Sequence, residues 1–166
     1  MHKAIATFTG CAALLLGASA ASAGGSKGSI GVGGEYQISG LGGMSANYDA
    51  GEFHVGGFLG FADGGGDDDT DVELGARFYY HLHSTAMSDF GVGGSFGLGL
   101  FGDRTPGADN NQTLVYIEPG LQLRLFIASN VALSFTGGLT LGTADAEGVA
   151  VTAQPVAAAG FHYYFF

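Results

Sequence analysis

Eight stretches alternate large apolar residues with small or polar ones, charges are too few to cover a water-exposed surface, and the N-terminus is laid out for export. Together these predict the fold class: all-β, an eight-stranded antiparallel up-and-down transmembrane β-barrel.

The export layout comes first along the chain. Met1-His2-Lys3 supplies a short basic region, Ala4–Phe8 and Ala12–Leu16 an apolar stretch, and Ala21-Ser22-Ala23 a small-residue cleavage motif. That order is the plan of a secretory signal peptide, and its apolar part is too short to span a bilayer as a helix. The domain division that follows is 1–23, signal peptide, and 24–166, one barrel domain, with Ala18-Ser19-Ala20 as the alternative cleavage motif. Cys11 is the sole cysteine and leaves with the signal, so the mature part has no disulfide and no thiol ligand or nucleophile.

Charged residues are 12% of the chain, against about 25% in a typical soluble domain. In the mature part Lys27 is the one lysine, and Arg77, Arg104 and Arg124 are the arginines. No run approaches the ~20 apolar residues of a membrane helix. The 32 glycines are scattered through apolar stretches, which is neither a linker nor a collagen period. A formal charge of −10 and the lack of a basic patch exclude nucleic acid as a partner.

Strands are expected at roughly 29–39, 43–49, 52–62, 71–82, 90–101, 113–127, 131–142 and 149–166. The fourth shows the alternation best: Val72, Leu74, Ala76, Phe78, Tyr80 and Leu82 share one face, and Asp71, Glu73, Gly75, Arg77, Tyr79 and His81 the other. In the fifth, Phe90, Val92, Phe96, Leu98 and Leu100 oppose glycines and Ser95; in the seventh, Val131, Leu133, Phe135, Leu139 and Leu141 oppose Ala132, Ser134, Thr136, Gly138 and Thr140. A soluble barrel would turn its apolar face inward and show a charged face to water. Here the second face is small, polar and sparsely charged, which suits a narrow lumen and leaves the apolar face for lipid. Pro119 and Pro155 each remove a ladder donor inside a strand, so bulges are expected there.

The connections alternate as well. Asp63–Thr70, Gly102–Gln112 and Thr143–Gly148 are long and acidic, whereas Asp49–Glu52, His83–Asp89 and Ala128–Asn130 are tighter. Long loops outside and short turns in the periplasm follow the barrel plan, and an even strand count puts both termini on the turn side.

The chain ends Phe161-His162-Tyr163-Tyr164-Phe165-Phe166. A terminal phenylalanine with an aromatic two residues earlier resembles the C-terminal insertion signal of outer-membrane barrels, carried here by Tyr164 and Phe166. With the segment count, the mature chain is similar to the OmpA/OmpX-like family of small eight-stranded barrels. The resemblance implies a Gram-negative outer-membrane location, contact with outer-membrane lipid and with the barrel assembly machinery, and no cofactor. One departure stands: Thr152, Gln154 and His162 share parity with Phe166, so a bulge intervenes or one set faces the unexpected way.

Within the barrel, Glu73, Arg77, Glu118 and Arg124 are expected as lumen ion pairs, with Gln122 among them and His54, Tyr79 and His81 nearer one end. An isolated ion away from water is too costly, so such charges must pair. A paired plug is favoured over a gated pore, because eight strands leave room mainly for side chains. Asp67, Asp68, Asp69 and Asp71 are candidate ligands of a divalent cation, since hard cations take several carboxylate oxygens. The run is no EF-hand: Val72 stands where the loop glycine belongs and Phe78 where the bidentate glutamate belongs. A solvated acidic loop is the plainer alternative.

The functional expectation is an integral outer-membrane protein, structural or surface-interacting, and not an enzyme. A lipid-modifying barrel enzyme is the second reading. It is disfavoured because mature His54, His81, His83 and His162 fall on the turn side and the outer loops hold no histidine. A secreted, lipocalin-like barrel for a small apolar ligand is the third.

Overall fold

The computed structural model describes residues 26–36, 41–65, 70–102, 112–144, 148–152 and 159–165. Residues 1–23, expected as a signal peptide, and Asp67–Asp69, Gln154, Pro155 and Phe166 lie outside them. The elements are β1 (Ile30–Tyr36), β2 (Gly42–Asp49), β3 (Phe53–Asp63), β4 (Thr70–Ser84), β5 (Ser88–Phe101), β6 (Gln112–Ala128), β7 (Val131–Ala144), β8 (Gly148–Thr152) and β9 (Ala159–Phe165).

Each strand pairs antiparallel with its chain neighbour from β1 to β7. The eighth staves of the barrel are two segments: β8 pairs with one half of β7 (Gly138–Gly142) and β9 with the other (Val131–Phe135). β9 also pairs with β1, Ile30 opposite Phe165, which closes the cylinder. The sheet is therefore an all-β, eight-stranded antiparallel barrel. Closure gives β1 to β7 and β9 a paired neighbour on both sides, as a β-structure in lipid requires, while β8 is paired with β7 among the described residues. Four strands run 14 to 17 residues, beyond the ~9–11 needed for a tilted span.

Polarity is turned inside out relative to a soluble fold. Leu59, Phe61, Leu74, Phe78, Phe96, Ile117, Leu121 and Phe161 are exposed on the wall, while Glu35, Asp49, Glu73, Arg77, Glu118 and Arg124 are buried. The expected faces of β4 hold along its length, Val72 to Leu82 outward and Asp71 to Tyr79 inward, because the pleat sends successive side chains to opposite faces.

Aromatic rings inside the barrel lie over glycines of neighbouring strands. A Cβ on Gly97 would strike the Tyr116 ring, and one on Gly75 the Phe58 ring. Large side chains fit a narrow lumen because the facing position has none.

Two expectations need correction. No register shift occurs at Pro119; the β6–β7 register runs unshifted from Ile117↔Leu141 to Gly120↔Gly138, and the proline, which has no N–H to give, sits in the unpaired gap between them. The shifts fall instead at His81/His83 and Phe126/Ala128, close to the turns. The β4–β5 turn is only Thr85–Met87, pinned by Thr85 N to Ser88 O at 2.7 Å, so Asp89 belongs to a strand. Of the residues in the C-terminal parity conflict, His162 faces in with Tyr164, while Phe161, Tyr163 and Phe165 face out; Gln154 and Phe166 lie outside the described residues.

Candidate functional site

The lumen side chains sort into three groups. At the turn end Arg124 of β6 is the hub. Its Nη2 donates to Asp49 Oδ2 and to Asp89 Oδ2, both at 2.6 Å, and its Nη1 donates to Tyr164 Oη at 3.1 Å. The guanidinium also lies 5.4 Å from the Phe126 ring centre and 5.9 Å from that of Tyr164, within cation–π range. One side chain thus ties together β2, β5, β6 and β9.

Two histidines border this hub. His81 Nδ1 is 2.7 Å from the Gly51 carbonyl oxygen, and its Nε2 is 2.8 Å from His54 Nδ1 and 3.1 Å from Arg124 Nη2. A carbonyl only accepts, so His81 Nδ1 carries a proton and donates to Gly51. Ligand atoms of Asp49, His81 and Asp89 come within 4.8 Å of one another, but the guanidinium of Arg124 occupies the space between them.

At mid-height Arg77 Nη2 donates to Glu35 Oε1 in a buried ion pair, with the Phe58 ring 5.2 Å from the guanidinium carbon. Ser45 Oγ and His162 Nε2 are 2.6 Å apart, and Glu35 Oε2 is 3.7 Å from that same nitrogen. A nucleophile–base–acid triad needs its acid on the other ring nitrogen. Serine and glutamate crowding one nitrogen make this a structural hydrogen-bonding group.

Toward the long loops, hydroxyl groups donate to the lumen carboxylates. Tyr116 Oη donates to Glu73 Oε1 at 2.7 Å, and Thr140 Oγ1 donates to Glu118 Oε2 at 2.9 Å. Gln122 Nε2 donates to Thr136 Oγ1 at 3.2 Å.

The four residues expected as ion pairs, Glu73, Arg77, Glu118 and Arg124, are all buried in the lumen. The carboxylates in ion-pair contact with the two arginines are Glu35, Asp49 and Asp89. Those three were missed because Asp49 and Asp89 were assigned to turns and Glu35 sits in a glycine-rich strand. The face shared by Ser45, Asn47 and Asp49 was the available signal.

Of the acidic-run candidates, Asp71 is described; it is buried, and its Oδ1 accepts from Gly102 N at 3.1 Å. Asp67, Asp68 and Asp69 lie outside the described residues. Of the insertion-signal pair, Tyr164 is inside the barrel, hydrogen-bonded to Arg124, and Phe166 lies outside the described residues.

Fold and lumen together define a class, the small closed barrels with an exposed apolar wall and buried polar and charged residues inside. No family model matches the chain, and no curated protein matches it. Among solved structures it is similar to the N-terminal β-barrel domain of Pseudomonas aeruginosa OprF. That match has 14% identity, a TM-score of 0.62, and covers 84% of this chain and 98% of the other. At that identity the likeness shows a shared fold.

Proposed function

We propose that this chain is an integral outer-membrane β-barrel protein, structural or surface-interacting and not an enzyme, delivered by its N-terminal signal. The observation that carries the reading is the inverted polarity: an exposed apolar wall around a core of buried charges. Such a wall in water would be a single exposed patch far above the few hundred Å² that soluble monomers tolerate. Its partners are outer-membrane lipid along the wall and the barrel assembly machinery during insertion.

The non-enzymatic reading is supported by the lumen chemistry. Ser45 and His162 are both buried, and their acidic neighbour is on the wrong nitrogen. The lumen charges are engaged with one another, which favours a plug over an open pore.

The test is solvent dependence. The mature chain should stay folded and monodisperse only with detergent or lipid, and should migrate on gels differently before and after boiling. A folded, monodisperse preparation without detergent would overturn the membrane reading in favour of a soluble ligand-binding barrel.

A further inference from the structure

Midway along the lumen the wall is bare on one side. Tyr79 of β4 pairs with Gly93 of β5, Gly93 with Gly120 of β6, and Gly120 with Gly138 of β7. All four positions share the inward parity of Arg77, Glu118 and Thr140 on their strands. Three neighbouring strands therefore bring no side chain to this row, and Tyr79 stands at one end of a recess with a backbone floor.

Polar side chains of the adjoining rows edge the recess. Ser95 and Glu118, paired with each other, lie on its loop side, and Gln122 and Thr136, also paired, on its turn side. Glu118 accepts from Thr140, and Gln122 Nε2 donates to Thr136 Oγ1 at 3.2 Å. Ser95 and Thr136 flank the Tyr79 hydroxyl, and His54 flanks the Gln122 carboxamide. Yet Tyr79 Oη and Gln122 Oε1 make no hydrogen bond with any described residue, although the two residues are 0% and 3% exposed. Buried polar groups in native proteins almost all have a partner, from the protein or from ordered water.

Hydrogen counting says what kind of partner fits. Gln122 Oε1 can only accept. Thr136 Oγ1 accepts from Gln122 and keeps a hydrogen of its own to donate, and Tyr79 Oη can do either. The partner must therefore both donate and accept. It must be small enough for a gap left by missing side chains, and neutral, because an uncompensated buried ion is expensive.

We propose that this glycine-floored recess is a water-binding site, with ordered water held between Tyr79 Oη, Gln122 Oε1 and Thr136 Oγ1. A buried water makes about three hydrogen bonds, and these three oxygens supply them. The lumen is then filled partly by side chains and partly by bound water, between the Arg77–Glu35 pair and the Arg124 hub. The site depends on the closed barrel alone, so its failure would leave the membrane reading untouched.

Nuclear Overhauser spectra of the folded, detergent-bound protein locate such water. The α-protons of Gly93 and Gly120 should show cross-peaks at the water frequency. Oxygen-17 relaxation dispersion of the solvent, which exchanging hydroxyl hydrogens do not mimic, should show long-held water in the parent. Its amplitude should fall in Tyr79→Phe and in Gln122→Leu, each of which removes one of the three oxygens. A parent without those cross-peaks overturns the proposal, whether or not either variant folds. So does an oxygen-17 dispersion that the two substitutions leave unchanged in the folded protein.

Discussion

Replacing Arg124 with leucine removes the cation from a closed set of buried partners. Its side chain is 2% exposed and that of Asp49 1%, so water cannot easily take over the carboxylate. Breaking a buried pair by deleting one partner costs about 3–5 kcal/mol, because a charge is left behind. Two carboxylates share this guanidinium, so their losses overlap and the same range applies once, less whatever carboxylate protonation recovers. At 1.36 kcal/mol per tenfold, that is roughly two to four orders of magnitude in the folding constant. Urea titration of the folded barrel in lipid vesicles would measure it; with a slope of about 2 kcal/mol/M the midpoint drops by about 1.5–2.5 M. Adding Asp49→Asn and Asp89→Asn to Arg124→Leu should restore part of the loss by removing the stranded charges. A single Arg124→Leu variant as stable as the parent would refute the claim that this hub organises the turn end.

Two further substitutions probe the wall and the loop-end lumen. Leu74→Arg puts a cation on the exposed wall and should destabilise by about 2–4 kcal/mol at the bilayer midplane, measured in the same titration; a soluble barrel placing residue 74 in its core would show the loss in detergent-free buffer instead. Tyr116→Phe removes the donor to Glu73 while keeping the ring over Gly97; hydrogen bonds to charged groups are worth about 1.5–3 kcal/mol, and no change would mean that Glu73 is satisfied without it.

How far the sequence could be read depends on what periodicity encodes. A two-residue alternation fixes which face a side chain takes, so β4 could be assigned from Asp71 to Leu82. It does not encode which strands meet across the lumen. Arg124 and Asp49 are 75 residues apart, and only closure through β9 and β1 brings them together. Asp49 and Asp89 sat at strand ends, where aspartate also reads as a turn residue, so hairpins tighter than expected hid two inward positions. Glu35 was hidden by Gly31, Gly33 and Gly34, which blur both faces of β1.

Tyr164, expected as part of a C-terminal insertion signal, also has a place in the lumen, where its hydroxyl accepts from Arg124. The outward aromatics of β9 are Phe161, Tyr163 and Phe165. Side-chain parity near a chain end depends on register, and the sequence alone left that open.

The central claim is that the apolar face meets lipid. Residues 24–166 contain no cysteine, so single cysteines at Leu74, Phe96, Ile117 and Phe161 of that segment can each carry a spin label in bilayers. Collision rates with oxygen, which dissolves in lipid, and with a water-soluble nickel chelate then read the surroundings of each site. The account predicts high oxygen and low nickel accessibility at all four; nickel accessibility matching that of a label on exposed Lys27 would contradict it.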